Sequence, residues 1–216
     1  MPRNQCAIFI RELNKTDEKY ISAIANLHKK AFPGFFLTQL GKAFLQALYT
    51  GYLEDVDSGI FVAEEKGILI GFVAYSMNYP KFYKELIRNH VVKFMLCSVG
   101  AVLRHPSFAK RLFGALRKSD DVTKPELYVE LASICVSPTM NGHGIGTALV
   151  DYLKHRVDFS KYAFVNLETD ADGNEAVNHF YQKNGFRLAL QYVTKEGRRM
   201  NEYRYAPSWV ERSAMT

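Results

Sequence analysis

Three glycines that alternate along one short segment constrain the fold of this chain most. The segment runs from Val136 to Thr147 and places Gly142, Gly144 and Gly146 two residues apart. An apolar run rich in β-branched residues precedes it, and apolar residues at helical spacing follow it. Glycine lets a backbone turn sharply and lets a ligand come close to bare amides. The segment therefore predicts a tight loop that leads from a strand into the N-terminus of a helix.

This loop is a candidate anion site. The first N–H groups of a helix lack partners and carry partial positive charge, which suits a phosphate or a pyrophosphate. A Walker loop would need Gly-Lys-Ser/Thr, but Gly146 is followed by Thr147 and Ala148. A dinucleotide fingerprint would need G-x-G-x-x-G in an early βαβ unit, and the pattern here is G-x-G-x-G late in the chain. On the loop alone, a glycine-rich turn that binds nothing remains the alternative.

A second segment, about thirty residues later, predicts a polar helix face. On a helix, Asn174, Asn178 and Tyr181 stand at i, i+4 and i+7 and share one stripe, whereas Val177 and Phe180 are expected to face the core. The run ends in Gly-Phe, which is typical of a helix end followed by a strand. A polar stripe that carries a phenol beside an anion-binding loop is typical of a catalytic site. The alternative is a packed tyrosine whose hydroxyl bonds a carbonyl.

The two segments together resemble the GCN5-related N-acetyltransferases, the GNAT superfamily. The acetyl-CoA loop of that family follows Gln/Arg-x-x-Gly-x-Gly/Ala after Val-x-Pro, and its later helix commonly carries Asn, then Tyr seven residues on, then Gly-Phe. The resemblance is strong over residues 125–193. Asn141 departs from it, because the family usually has Gln or Arg there, so a weaker contact with the pyrophosphate is expected from this shorter, neutral side chain.

The resemblance implies a mixed α/β (α+β) fold. Its central sheet has about seven strands, is partly splayed and is flanked by helices, and residues 1–216 form a single domain. Residue periodicity independently predicts strands, helices and a hairpin in a compatible order. The predicted strands are 7–13, 59–64, 68–77, 127–136, 164–169, 186–193 and 202–205, and the predicted helices are 18–31, 38–53, 146–159 and 174–184.

Residues 79–124 form a helical insertion that a minimal family member lacks. The segment is rich in Lys and Arg and is interrupted at Pro106. Packing of its helices on the main core is favoured. A lid over the acceptor site or a helix on a membrane surface is the alternative, because basic amphipathic helices serve both purposes.

The resemblance also implies the site residues. Backbone groups of Ile134, Cys135 and Val136 would pair with the pantetheine arm, loop amides would bind the pyrophosphate, and Tyr181 would be the acid for the departing thiolate. Glu130 is the candidate base, because it precedes Val136 by six residues on one strand and should share its face; a salt-bridged or exposed glutamate is the alternative. The expected coenzyme-binding residues are Ile134, Cys135, Val136, Asn141, Gly142, His143, Gly144, Ile145, Gly146, Thr147, Asn174 and Tyr181.

Two of these residues invite other chemistry. His143 is expected to be a solvent-facing loop residue near phosphate, and Cys135 a buried structural thiol rather than a nucleophile, since it lies in an apolar strand. The histidines lack metal-ligand spacing, so no metal is expected.

The predicted activity is transfer of an acetyl group from the co-substrate acetyl-CoA to a primary amine by direct attack. A small-molecule acceptor such as an amino sugar or an amine metabolite is favoured. Acetylation of a protein or peptide is one alternative, and a non-catalytic module that binds acyl-CoA is another.

Composition narrows the partners. A net charge of +6 attracts anions, but the charge is spread along the chain and nucleic-acid-binding patterns are lacking, so no nucleic acid is expected. Three widely spaced cysteines suggest no disulfide framework. No apolar run is expected to reach the roughly 18 residues of a membrane span, and no secretory signal is expected. A cytoplasmic monomer or homodimer is expected, with membrane-surface contact through the insertion not favoured.

Overall fold

The central feature of the fold is one mixed sheet in the order β1-β2-β3-β4-β5-β7-β6, which confirms the expected seven strands. The computed structural model describes residues 8–109, 124–194 and 196–209. The strands are β1 Phe9–Glu12, β2 Ser58–Glu65, β3 Ile68–Ser76, β4 Tyr128–Val136, β5 Phe164–Asp170, β6 Arg187–Val193 and β7 Arg199–Tyr205. The helices are α1 Lys19–Ala31, α2 Phe36–Gln39, α3 Lys42–Glu54, α4 Tyr79–Arg104, α5 Ile145–Arg156 and α6 Glu175–Lys183.

The sheet splays between β4 and β5, as expected. These parallel strands pair over three residues, from Tyr128 with Phe164 to Glu130 with Asn166. Beyond that point β4 runs on to Val136 beside β3, and β5 runs on beside β7. Because strand backbone groups must find partners or remain accessible, the far half of β4 presents a row of N–H and C=O groups to the resulting cleft.

A β-bulge in β4 changes which side chains enter this cleft. Ala74 of β3 pairs with Ser133 and Tyr75 pairs with Leu131, so Ala132 is an extra residue. The extra residue shifts the alternation by one. Val136 packs on the α5 side of the sheet, and Glu130 points to the opposite side, because its neighbour Leu131 is buried on the α5 side. The prediction that Glu130 shares a face with Val136 was therefore wrong.

Two apolar clusters enclose the sheet. One lies under α1, α3 and the start of α4, and the other lies under α5 and includes residues of α6. The amphipathic pattern of α5 puts Leu149, Leu153 and Val157 into the second cluster, as predicted. The cleft between β4 and β5 therefore opens between two packed layers.

Three predicted element boundaries were wrong for local reasons. The single helix expected over residues 38–53 is two helices, because Gly41 adopts a φ of 104° at the start of α3. The helix after the glycine loop ends at Arg156, where Val157 takes an extended conformation. The last strand begins at Arg199 rather than at residue 202.

The described part of the insertion consists of the long helix α4, residues 105–109 and Lys124, and residues 110–123 lie outside the described residues. Phe82, Leu86 and Phe94 bury one face of α4 in the cluster under α1 and α3, so packing on the core is confirmed for this helix. Its other face exposes apolar side chains at helical spacing, namely Val92, Met95, Leu96, Val99 and Leu103. By length and composition alone α4 could span a membrane, with a mean hydropathy of 1.4 over 18 residues, which corrects the expectation that no segment was apolar enough.

Candidate active site

A cavity of about 1080 Å³ occupies the splay between β4 and β5. The glycine loop, the N-terminus of α5 and α6 line its outer part, and α1, α3 and the start of α4 line its inner part. The cavity therefore joins the two segments that the sequence analysis singled out, although about thirty residues separate them.

The glycines of the loop are required for two different reasons. Gly142 and Gly144 have φ values of 79° and 77°, in the left-handed region that L side chains avoid. Gly146 has an ordinary φ, but a Cβ there would stand 3.1 Å from the ring of Phe180 on α6. The loop is thus bent by two glycines and held close to α6 by the third.

The mouth of α5 presents main-chain donors to the cavity. Gly144 caps the helix, and the first intrahelical bond is donated by the N–H of Ala148 to the Gly144 carbonyl, at 2.9 Å. The N–H groups of residues 145–147 precede that bond and have no helical acceptor. Ile145, Gly146 and Thr147 all line the cavity, as do Asn141, Gly142 and Gly144. This cluster of donors and the helix dipole suit a diphosphate.

His143 does not line the cavity with the rest of the loop. It is exposed, and its Nδ1 lies 3.1 Å from the Asn141 carbonyl oxygen. The prediction that His143 faces solvent is therefore confirmed. Any contribution of this residue to the anion site comes from its backbone N–H group.

Cys135 lines the cavity, but its thiol is a poor nucleophile. Its thiol is buried, lies 3.6 Å from the Leu27 carbonyl, and burial raises its pKa to about 12. A thiol with so high a pKa is almost wholly protonated near neutral pH, and only the thiolate is strongly nucleophilic. Ile134 and Val136 line the cavity on either side of it, so this stretch of β4 offers backbone rather than side-chain chemistry.

Tyr181 reaches the cavity from α6 and is only 6% exposed. The rings of Phe180, Phe186 and Tyr203 surround it with centroids at 5.2 to 6.0 Å. Among the residues that the structure describes, its hydroxyl makes no hydrogen bond. Burial, and secondly the charge of Glu130, raise the pKa of this phenol. Tyr181 is therefore a protonated donor with no acceptor in the part of the chain that the structure describes.

The asparagines of α6 play a structural part. The Nδ2 of Asn174 donates to Thr169 Oγ1 at 2.7 Å, and that of Asn178 donates to the Asp170 carbonyl at 3.0 Å, so both tie α6 to the end of β5. Asn174 lines the cavity as well. Val177 was expected in the core but is 37% exposed and lines the cavity, because α6 spans the cleft instead of packing flat on the sheet.

Glu130 is buried beside the cleft. It is 8% exposed, and Asn166 Nδ2 donates to its Oε2 at 2.8 Å. Burial above all, with a smaller effect of Glu168, raises its pKa to about 8 against the lowering effects of the Asn166 bond and of Lys124. In the described part of the chain it forms no salt bridge, so neither alternative to a base, a salt-bridged or an exposed glutamate, describes its surroundings.

The inner wall contains residues that the sequence analysis missed. His28 Nδ1 lies 2.6 Å from the Tyr49 hydroxyl, which lies 3.2 Å from Ser133 Oγ on β4. His28 Nε2 is buried and has no hydrogen-bond partner among the described residues, and burial lowers the pKa of this imidazole to about 4. These residues stand far apart in the chain, so no spacing pattern could have revealed them. Tyr79 and Tyr83 are different, because they stand four residues apart in the sequence. That spacing alone indicates that both rings lie on one face of α4.

Comparison with known proteins agrees with this architecture. A sequence model of the acetyltransferase (GNAT) family matches residues 21–186. An aminoglycoside N-acetyltransferase in complex with CoA superposes with a TM-score of 0.59 at 16% identity, over 90% of this chain and 97% of the other. A polyamine N-acetyltransferase from Drosophila melanogaster gives 0.58 at 12% identity, over 92% and 99%.

A third solved structure extends the comparison to a protein acceptor. The ribosomal-protein-S18-alanine N-acetyltransferase from Escherichia coli gives a TM-score of 0.53 at 16% identity, over 92% of each chain. At these identities the likeness shows the fold. The comparison with curated protein sequences finds no match.

Proposed function

The chain belongs to the acetyltransferase (GNAT) family, and from that premise we propose that it transfers an acetyl group from acetyl-CoA to the primary amine of a small molecule. One observation carries this proposal. A single cavity joins the amides at the mouth of α5, the open backbone edge of β4, the Tyr181 phenol and the buried Glu130 carboxyl. Those are the groups that thioester aminolysis needs.

The residues present fit the coenzyme. The amides of residues 142–147 would hold the diphosphate, and the backbone of Ile134 to Val136 would pair with the amides of the pantetheine arm. The unpaired helix N–H groups and the open β4 edge support this placement. When bound, acetyl-CoA supplies the thioester carbonyl that the amine attacks.

Glu130 receives the proton that the amine must lose. An alkylammonium ion has a pKa of about 10.4, so passing its proton to an ordinary carboxylate costs about 8 kcal/mol. With the Glu130 pKa at about 8, the same transfer costs about 3 kcal/mol. Burial thus brings the pKa of Glu130 closer to the pKa of the amine, as efficient general-base catalysis requires.

Tyr181 completes the proton balance. As the amine forms the C–N bond, the C–S bond breaks and the sulfur leaves with its electron pair. The phenol, kept protonated by its raised pKa, donates to that sulfur. The products are an amide and free CoA thiol. Two structural neighbours, named as an aminoglycoside N-acetyltransferase and a polyamine N-acetyltransferase, likewise have amines as acceptors.

The decisive experiment compares Tyr181→Phe with Tyr203→Phe. Both residues are buried tyrosines of one cluster, with ring centroids 6.0 Å apart, but Tyr203 does not line the cavity. We expect Tyr181→Phe to lower kcat about 100- to 10,000-fold and to leave CoA affinity, measured by calorimetry, within twofold. Tyr203→Phe should keep nearly full turnover.

Two outcomes would contradict the proposal. Folded protein that takes up no CoA would exclude coenzyme binding at the loop. Protein that binds CoA but releases no thiol with any amine or peptide acceptor would instead be a non-catalytic acyl-CoA-binding module. Equal turnover of Tyr181→Phe and wild type would remove the acid role alone.

A further inference from the structure

The inner part of the cavity is walled by aromatic rings. They come from the end of α1 and the following loop, from α3, from the start of α4 and from β4: Phe32, Phe35, Tyr52, Tyr79, Tyr83 and Tyr128. The rings support one another, with centroids 5.0 Å apart for Phe32 and Phe35 and 6.0 Å apart for Tyr79 and Tyr83. The wall is therefore formed by protein packing before any ligand arrives.

Among the described residues, Glu168 supplies a carboxylate without an ion-pair partner to this region. Glu168 is exposed at the cavity, accepts a hydrogen bond from the Tyr192 hydroxyl at 2.7 Å, and has no salt-bridge partner among the described residues. Three basic residues line the same cavity. Lys183 is exposed on the last turn of α6, which lines the outer part of the cavity, away from the aromatic wall. Lys124 is bound to Glu202 at 3.0 Å and stands over the Tyr128 ring. His28 is neutral, because burial lowers its pKa to about 4.

The tyrosine wall and the acids lie within electrostatic reach of each other. The pKa of the Tyr79 phenol is raised mainly by burial, and then by the charges of Glu130 and Glu168 among others. A site with the Glu168 carboxylate and aromatic faces attracts a cation, since the face of a tyrosine ring is electronegative. It repels an anion.

The same wall disfavours a ligand covered with hydroxyl groups. Each hydroxyl that leaves water without a new partner costs about 1 to 3 kcal/mol, and the wall consists mainly of ring carbons. A hydrocarbon or aromatic body gains free energy when it is buried there. Charge and wall together select an amphipathic organic cation.

We propose that the acceptor is an ammonium ion carried on an aromatic or hydrocarbon body, held by the tyrosine wall with Glu168 at the cavity mouth, and not a polyhydroxylated amino sugar. This inference rests on the proposed function and names the substrate class of the same site. The sequence favours a small-molecule amine such as an amino sugar, and the wall and charge of this cavity restrict the acceptor to an amphipathic amine.

The first test is a panel of amines with acetyl-CoA, followed by release of CoA thiol. We expect kcat/KM for 2-phenylethylamine and hexylamine to exceed that for glucosamine at least tenfold. An equal or higher value for glucosamine would overturn the inference and leave the proposed function intact. No thiol release with any amine would contradict the proposed function itself.

Two substitutions test where the amine contacts the protein. Tyr79→Leu keeps apolar volume but removes a ring, so it should raise KM for 2-phenylethylamine at least fivefold and change KM for hexylamine less than twofold. Glu168→Gln should raise KM for both amines about tenfold, with kcat and CoA affinity within twofold of wild type. Glu126→Gln, an exposed glutamate outside the cavity lining, is the charge-matched control and should change neither.

A further experiment tests whether the acceptor or the acyl chain of the coenzyme occupies the space between the aromatic rings. We expect acetyl-CoA to be used better than hexanoyl-CoA with 2-phenylethylamine, since the amine fills the space. A preference for hexanoyl-CoA together with a flat response across the amine panel would assign the wall to the acyl chain and overturn the inference.

Discussion

Replacement of Glu130 by Gln should change both stability and rate in a pH-dependent way. In the folded protein the Glu130 pKa is about 8, against 4.5 in the unfolded chain, mainly because the carboxyl is buried. Between these pH values the folded state keeps a proton that the unfolded state releases. The stabilising contribution is thus complete below pH 4.5 and is lost as pH rises through 8. A difference of 3.5 pKa values amounts to about 5 kcal/mol.

Glutamine cannot ionise, and its amide oxygen can accept the bond from Asn166 that Glu130 accepts now. The Glu130→Gln variant should therefore match wild type in free energy of unfolding at pH 4.5 and exceed it by about 5 kcal/mol at pH 9. The effect on rate has the opposite sign. Wild-type kcat/KM should rise with pH through about 8, whereas the variant should lose that rise and about 100-fold or more of its activity.

Urea denaturation at several pH values, with a thiol-release assay on the same samples, measures both quantities. The difference between variant and wild type is the useful quantity, because it cancels every other titrating group, including His28. Glu126→Gln is the control and should leave both pH profiles unchanged, since that carboxyl is exposed. Parallel stability curves for Glu130→Gln and wild type would refute the burial argument, and an unchanged rate profile would refute the base role.

Three further predictions follow from single positions. Gly144→Ala places a Cβ at a φ of 77°, so it should destabilise the loop by about 1 kcal/mol and weaken CoA binding by calorimetry severalfold, whereas Gly34→Ala, in open space, should not. Asn141→Arg adds a cation beside the proposed diphosphate site and should tighten CoA binding severalfold at low salt; equal affinity in low and high salt would contradict this. His28 has a pKa lowered to about 4 by burial, so its own contribution to stability should fall by about 3 kcal/mol as pH drops from 6.5 through 4; in thermal melts the stability of wild type relative to His28→Gln should fall by that amount, because Glu130 titrates alike in both proteins.

Much of the outer site could be predicted from the sequence, because its determinants are local. A left-handed φ at Gly142 and Gly144 and a helix that begins at once are properties of neighbouring residues. The seven-residue spacing from Asn174 to Tyr181 likewise depends only on helical geometry. The GNAT resemblance rested on these short patterns, and the family match and the sheet confirmed it.

The face of Glu130 was decided by tertiary structure. One extra residue at Ala132 reverses the side on which every earlier residue of β4 points, and the bulge is set by pairing with β3, nearly sixty residues earlier in the chain. The exposure of Val177 has a similar origin, since α6 crosses a cleft that exists because β4 and β5 part after three pairs.

The inner wall of the cavity shows most clearly which features follow from the sequence and which depend on tertiary packing. Periodicity alone determined that α1, α3 and α4 would be helices with apolar faces. Which rings meet depends on how those helices cross the sheet, and packing brought His28, Tyr49 and Ser133 into one hydrogen-bonded row. Short-range backbone preferences are encoded in neighbouring residues. The acceptor pocket is made of contacts between distant ones, so only the folded chain could define it.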